Sequence, residues 1–156
     1  QPAVRGIAAP EIEKDVAICL AFGAELVCGR KISSVEELRK EGFTDVIVAV
    51  GAWKSGENPL SSGECLDALH FLQMVKKDPA SAGEGSNIVV LGGGNTAMDT
   101  ARAAKRLPGE RNVRLVYRRT KRYMPADEEE LQMALEDGVE FMELLAPETL
   151  EDGRLT

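Results

Sequence analysis

Apolar residues along this chain fall into two kinds of run, one at helical spacing and one nearly continuous, and they alternate. Ile12, Val16, Cys19 and Leu20 recur three and four positions apart behind Pro10 and ahead of Gly23. That spacing predicts an amphipathic helix opened by a proline and stopped by a glycine. Residues 25–28 follow as a short strand. Ser34 with Glu37 three positions on forms a capping box for a short helix that Gly42 closes. Residues 45–50 are an almost unbroken apolar strand ending at Gly51. Leu66, Leu69 and Leu72 recur helically within residues 65–77, and turn-rich stretches at 54–63 and 78–86 bracket that helix.

From residue 87 the order becomes strand (88–91), glycine turn (92–94), helix (95–107) and strand (113–117), which is a βαβ unit. Asp127 with Glu130 reads as a further cap, ahead of a helix that carries Leu131, Ala134 and Leu135 and closes at Gly138. A strand over 139–144 comes next, and the turn at Glu151, Asp152 and Gly153 should lead into another. Strands alternating with helices over short connections predict an α/β fold with a Rossmann-like parallel sheet, helices on both faces and right-handed crossovers.

Chemistry concentrates in the glycine turn, where Gly92, Gly94 and Ala97 fill the pattern GxGxxA between a strand and a helix. Gly92 allows a tight exit from the strand. Gly94, lacking a Cβ, lets backbone N–H groups approach a pyrophosphate seated on the helix N-terminus, where the helix dipole adds partial positive charge. Ala97, with Ala101 and Ala104, gives the helix a flat face able to lie close to the sheet. Glycines also end strands for structural reasons alone, but the strand before and helix after favour dinucleotide binding. Asp99, in the first turn of the same helix, reads as a residue favoured by the dipole rather than as a ligand group.

Charge then selects among dinucleotides. The net charge is −7, yet residues 102–122 carry nine basic side chains against Glu110 alone. A single basic stretch in an acidic protein suits a compact polyanion better than a long nucleic-acid backbone. An NAD site ends its second strand with Asp or Glu for the ribose hydroxyls, whereas this chain offers Tyr117, Arg118, Arg119 and Thr120. Arginine there would pair with a 2′-phosphate, so NADPH is expected over NADH. The competing reading is that both arginines make weak surface ion pairs with the acidic run 127–130.

Composition removes several other chemistries. Cys19, Cys28 and Cys65 stand too far apart for a CxxC metal or cluster site and are expected as free thiols. His70, the only histidine, has no partner suggesting catalysis, and no dyad or triad is visible. Hydride transfer needs mainly stacking and orientation, so that absence is compatible with an oxidoreductase domain. No apolar run is long enough to cross a bilayer, and the N-terminal residues, with Pro2 and Arg5, lack a signal-peptide core; the cytoplasm is the expected compartment. Beginning at Gln1 and stopping just past a turn, at Thr156, the sequence is expected to be a piece of a longer one.

Gly92-Gly-Gly-Asn-Thr-Ala-Met-Asp, then Val116-Tyr-Arg-Arg-Thr-Lys-Arg-Tyr-Met-Pro-Ala and Glu136-Asp-Gly-Val-Glu-Phe, resemble the NADPH half of glutamate synthase small subunits. Dihydropyrimidine dehydrogenase is similar in the same region, as are selenate reductase-type subunits, which the longer Arg106-Leu-Pro-Gly connection resembles. The resemblance spans nearly the whole chain. It implies that residues 1–60 belong to the FAD-side domain and 61–156 to an NADPH-binding domain cut short at its C-terminus. Ala49-Val50-Gly51 stands at the place of the family's ATG motif, with valine for threonine.

In such enzymes NADPH reduces FAD, whose electrons pass through iron–sulfur clusters to a distant acceptor; this is what the resemblance implies for the parent. The sequence holds neither FAD's own glycine motif nor a cluster cysteine set, so the chain alone is expected to bind no flavin and to have no turnover. Carried over, Gly92, Gly93, Gly94, Asn95, Thr96 and Ala97 line the pyrophosphate, Arg118 and Arg119 the 2′-phosphate, Gly51 belongs to the cofactor set, and Met124, Pro125 and Ala126 shape the adenosine side. The expected partners are NADPH and the parent's FAD and iron–sulfur domains. Two alternatives stand beside this: a non-catalytic assembly or regulatory module with a dinucleotide-shaped pocket, and a methyltransferase-like Rossmann domain, against which the arginine pair argues.

Overall fold

A computed structural model describes residues 9–51, 56–82 and 85–156. Its contacts divide the chain into two compact units, with residues 9–51 in one and those from 56 onward in the other. The predicted turn regions 54–63 and 78–86 are thus only partly described, since 54–55 and 83–84 lie outside these residues, as do Pro2 and Arg5.

In the first unit, α1 (Ala9–Ala21) forms where the periodicity places it. Gly23, at φ 89°, ends it in the expected way: its N–H donates to Leu20 O and that of Ala24 to Cys19 O, at 3.0 and 3.1 Å. Both satisfy carbonyls that the helix end leaves open. The second helix, α2 (Val35–Lys40), is capped by Ser34, whose Oγ accepts from the Glu37 N–H. The Glu37 carboxylate reaches one residue further back than the capping box requires, accepting from the Ser33 N–H at 3.2 Å. Arg30 holds Glu37 and Glu41 together on this exposed surface, and their hydrogen bonds to the guanidinium keep both carboxyls below the ordinary range.

Two predicted strands do not form. Among the described residues, 25–28 and 45–50 join no strand ladder, and Ile47 and Val48 are 92% and 66% exposed. A strand exists through its neighbour's N–H and C=O groups, and these runs find no such neighbour among the described residues.

The second unit is built on the βαβ motif. Strands β1 (Asn87–Leu91), β2 (Asn112–Tyr117) and β3 (Glu140–Glu143) pair in parallel in that order. Between β1 and β2 runs α4 (Asn95–Lys105); α3 (Ala68–Lys77) and α5 (Glu128–Glu136) flank it. This is the α/β, Rossmann-like fold the alternation predicts. Ala97, Ala101 and Ala104 are buried, the last two completely, so α4 lies against the sheet without a bulky side chain intervening. Met98 and Leu115 are also wholly buried beside them; each contributes about 2 kcal/mol by leaving water. The sequence also predicts helices on the opposite face. Among the described residues that face, with Val89, Val116 and Met142, instead lines a cleft of about 320 Å³ together with Leu145 and Pro147.

The terminal turn leads into a strand as expected, forming the hairpin β4 (Leu150–Glu151) and β5 (Arg154–Leu155). Asp152 and Gly153, at φ 48° and 73°, supply the two left-handed positions that a tight hairpin turn requires. Residues before α3 are clipped to this hairpin: Ser61 N–H donates to Glu148 O at 2.8 Å and Leu150 N–H to Ser62 O at 2.9 Å.

An ion network fastens α4 to α5. Arg102, 7% exposed, donates through Nε to Asp137 at 2.9 Å and through Nη1 to Glu130 at 3.3 Å, while Arg106 adds two bonds to the same Asp137 carboxylate. Desolvation pushes the Asp137 carboxyl up, but the hydrogen bonds from Arg106 and Arg102 outweigh it and hold the group below its ordinary range. A depressed folded value stabilises the fold above about pH 4, the unfolded value. That contribution disappears as pH falls through the folded value. Asp137→Ala, which leaves Arg102 buried beside only Glu130, is expected to lower unfolding stability by about 2 kcal/mol, less than for a fully dry pair. Urea denaturation at pH 7 and pH 3 checks it: the wild-type advantage should shrink at the lower pH.

Candidate functional site

The three glycines after β1 have three different reasons to be glycine. Gly92 extends the ladder by one residue, its N–H donating to Val116 O at 3.0 Å. Its φ of 145° is a conformation that L-residues avoid, and a Cβ there would stand 3.3 Å from the Cβ of Ala97. A Cβ on Gly93 would fall 2.5 Å from Cε2 of Tyr117, so the loop backbone lies directly on that ring. Gly94 differs from both: it is the N-cap of α4, in extended conformation at φ −97°, and a Cβ on it would meet nothing within 4 Å.

That open space faces the start of a helix capped by no side chain. The N–H groups of Ala97 and Met98 turn back to Gly94 O, whereas those of Asn95 and Thr96 have no intrahelical acceptor. Bare backbone at a helix N-terminus favours an anion. The geometry therefore fits a phosphate group approaching in front of Gly94.

Beside the turn lies a cleft of about 390 Å³, which Gly92, Gly93 and Tyr117 share with Arg118. Its far wall is Pro59 with Leu145, Ala146 and Pro147. At Leu144 the backbone takes φ 61° immediately after β3, and Leu145 N–H then donates to Tyr117 O at 3.2 Å, which holds the wall against the end of β2. These wall residues escape the sequence reading, because only the unusual backbone at Leu144 and the clip at Ser61 bring them there. The apolar run 144–147 ending in proline was the available signal.

Arg118 and Arg119 are both exposed, and neither forms an ion pair among the described residues. Three of the four residues of the acidic run 127–130 are engaged elsewhere: Glu128 with Lys121 at 3.2 Å, Glu130 with Arg102, and Asp127 with Asn95. Arg118 is in the cleft wall. Arg119 is not, and its carbonyl accepts from Leu144 N–H at 3.4 Å.

Asp127 occupies the N-cap position of α5, but its side chain makes no cap bond. This departs from the predicted cap with Glu130. Both its polar ends go instead to Asn95, whose Nδ2 donates to the carboxylate and whose Oδ1 accepts from the Asp127 N–H, each at 2.9 Å. Asn95 thereby commits its Oδ1 and one of its two Nδ2 hydrogens to Asp127, and its backbone N–H remains open to an anion. Thr96 is exposed, and its carbonyl accepts from Thr100 Oγ1 at 2.6 Å. Asp99 lies near the α4–α5 seam, where desolvation and the charge of Glu130 raise its carboxyl above the ordinary range. Met124 and Ala126 pack on the core and line a second hollow of about 400 Å³ with Lys121 and Arg122. Gly51, at φ 75°, belongs to the first unit.

Cys19, Cys28 and Cys65 are free and exposed. No described helix is long and apolar enough to cross a membrane.

Residues 10–146 match the family model of pyridine nucleotide-disulphide oxidoreductases. The oxidoreductase YgfK of Escherichia coli is 40% identical over 96% of this chain and 15% of its own length. The NADPH-Fe(3+) oxidoreductase subunit beta of Geobacter sulfurreducens is 35% identical over 83% of this chain and 20% of its own length. The glutamate synthase [NADPH] small chain of Azospirillum brasilense is 38% identical over 74% and 27%. The chain thus spans about a quarter or less of each of these relatives.

Proposed function

Since the chain belongs to the pyridine nucleotide-disulphide oxidoreductase family, we propose that residues 61–156 are an NADPH-binding domain serving a flavin-dependent oxidoreductase, with residues 1–60 on the FAD side. In the whole enzyme hydride would pass from NADPH to FAD and on through iron–sulfur clusters held by other domains or subunits. The observation that carries this reading is Arg118, paired with no carboxylate among the described residues, on the wall of a cleft that Gly92 and Gly93 also line. The names of the relatives from Geobacter sulfurreducens and Azospirillum brasilense, both of which specify NADPH, support the same cofactor.

The residues fit the cofactor in kind. Gly92, Gly93 and Gly94, with the N–H groups of Asn95 and Thr96, would hold the pyrophosphate; Ala97 keeps the helix close enough for them to do so. Arg118, with Arg119 beside it, would hold the 2′-phosphate, and Met124 to Ala126 the adenosine side. When bound, NADPH supplies a hydride. The chain's own part is to bind and orient, for which no side-chain acid or base is required.

Calorimetric titration with NADPH, NADH and adenosine 2′,5′-bisphosphate at low salt tests the reading. NADPH and the bisphosphate should both bind, and NADH more weakly by at least about tenfold, as expected for one lost charge-assisted contact. Equal affinity for NADH and NADPH would overturn the assignment of Arg118. Failure of all three to bind or to raise the melting temperature would favour an assembly module instead. The purified chain is expected to be colourless; a flavin absorption spectrum would contradict the placement of FAD binding elsewhere.

A further inference from the structure

The loop that leaves β2 carries Arg118 and Arg119; one hydrogen bond closes that loop on the end of β2, and three tie its far end to the glycine turn and the first residue of α4. Tyr117 Oη donates to Tyr123 O at 2.6 Å. Ala126 N–H donates to Gly93 O at 3.0 Å. The Asn95 amide and Asp127 exchange the remaining two. Between these ties, residues 118–122 are all exposed or half-buried, and the end of β3 steadies them from the other side: Arg119 O accepts from Leu144 N–H at 3.4 Å and Lys121 N–H donates to the Glu143 carboxylate at 2.6 Å.

Asp127 shows that the exchange with Asn95 has a role of its own. A carboxylate at an N-cap ordinarily turns to its own helix's N–H groups, which stabilises the helix by about 1 kcal/mol. Here it turns away from α5 to a residue 32 positions earlier. The result joins the N-terminus of α4, where the pyrophosphate is proposed to sit, to the return of the arginine loop.

We infer that Asn95 is a positioning residue for discrimination between NADPH and NADH: through Asp127 it fixes the arginine loop relative to the glycine turn, and its side chain does not touch the nucleotide. This rests on the proposed NADPH reading. It separates two quantities that a direct contact would not. Both nucleotides carry the pyrophosphate, so a residue touching that group would change both affinities equally. A residue that places Arg118 changes their ratio.

The whole chain carries the test, in three variants: Asn95→Ala, Asn95→Asp, and the exchange Asn95→Asp with Asp127→Asn. Asn95→Asp sets two carboxylates against each other. The exchange restores both bonds, the side-chain one with donor and acceptor reversed and the backbone one in its original direction, because an aspartate at 95 can accept from the amide at 127 and from its backbone N–H. Calorimetry with NADPH and NADH should show the affinity ratio falling by roughly tenfold in both single variants and recovering in the exchange, as hydrogen-bonded networks show when their geometry is rebuilt. Without nucleotide, hydrogen exchange at the Ala126 and Asp127 amides should speed up by about tenfold in Asn95→Ala, reporting the loosened loop even if binding is weak.

A ratio unchanged in the single variants, with both affinities reduced alike, would overturn the inference and assign Asn95 to the pyrophosphate. Unchanged exchange at those amides would overturn it as well. A wild-type chain with no preference for NADPH would instead bring down the underlying reading, which the first titration detects before any variant is made.

Discussion

Replacing Arg118 and Arg119 together with alanine is expected to weaken NADPH binding by about a hundredfold while changing NADH affinity by less than about threefold. The size follows from what is lost: a guanidinium bond to a phosphate contributes about 1.5–3 kcal/mol, and its absence leaves the 2′-phosphate facing water. NADH has no such group, so it reports whether the cleft itself survives. Most of the effect should come from Arg118 alone, because it lines the cleft with Gly92 and Gly93 whereas Arg119 does not. Both side chains are exposed and free of ion pairs among the described residues, so no carboxylate must be displaced when a phosphate arrives. Arg118→Lys should recover only part of the preference, since a point charge cannot make the paired bonds of a guanidinium. Isothermal titration at two salt concentrations decides it: the NADPH advantage should shrink with added salt and be absent in the double variant. A double variant that still prefers NADPH by the wild-type margin would move the 2′-phosphate site to another part of the basic stretch.

Much of the second unit was legible because its elements are locally specified. β1, the glycine turn, α4 and β2 each follow from a run of neighbours, and the strand–glycine–helix order constrains their arrangement. The same reasoning fails for residues 25–28 and 45–50, whose apolar runs are as strand-like as β1. Pairing requires a partner, and no local pattern reveals whether one is present. Asp127 illustrates the second limit. Its spacing to Glu130 is a correct cap signal, yet Asn95 and Arg102 take the two carboxylates from elsewhere in the fold. At the site, the fingerprint glycines were visible, but not what distinguishes them. That Gly93 rests on Tyr117 while Gly94 faces open space depends on contacts across 24 residues of chain or on the lack of them.

The distinction between those two glycines yields a result in which stability and binding part company. Gly94→Ala is expected to fold as well as the wild type, within about 0.5 kcal/mol, because its backbone conformation suits alanine and the new methyl meets no protein atom. The methyl instead enters the space proposed for the pyrophosphate, and binding of NADPH and NADH should both fall by at least roughly thirtyfold, the cost of steric exclusion plus lost backbone contacts. Gly93→Ala should behave in the opposite order. Its methyl would stand 2.5 Å from the Tyr117 ring, and that ring cannot swing away freely while its hydroxyl donates to Tyr123 O. The strain should lower unfolding stability by about 2 kcal/mol, in the range for overpacked sites. Adding Tyr117→Ala should make the pair less destabilised than the two changes summed, since the methyl then has room. Urea melts and calorimetry on the wild type, Gly94→Ala, Gly93→Ala, Tyr117→Ala and the Gly93→Ala/Tyr117→Ala pair separate the outcomes. If Gly94→Ala binds both nucleotides as tightly as wild type, the open space before α4 is not where their phosphates lie, and the cleft beside Arg118 would have to hold the dinucleotide in another orientation.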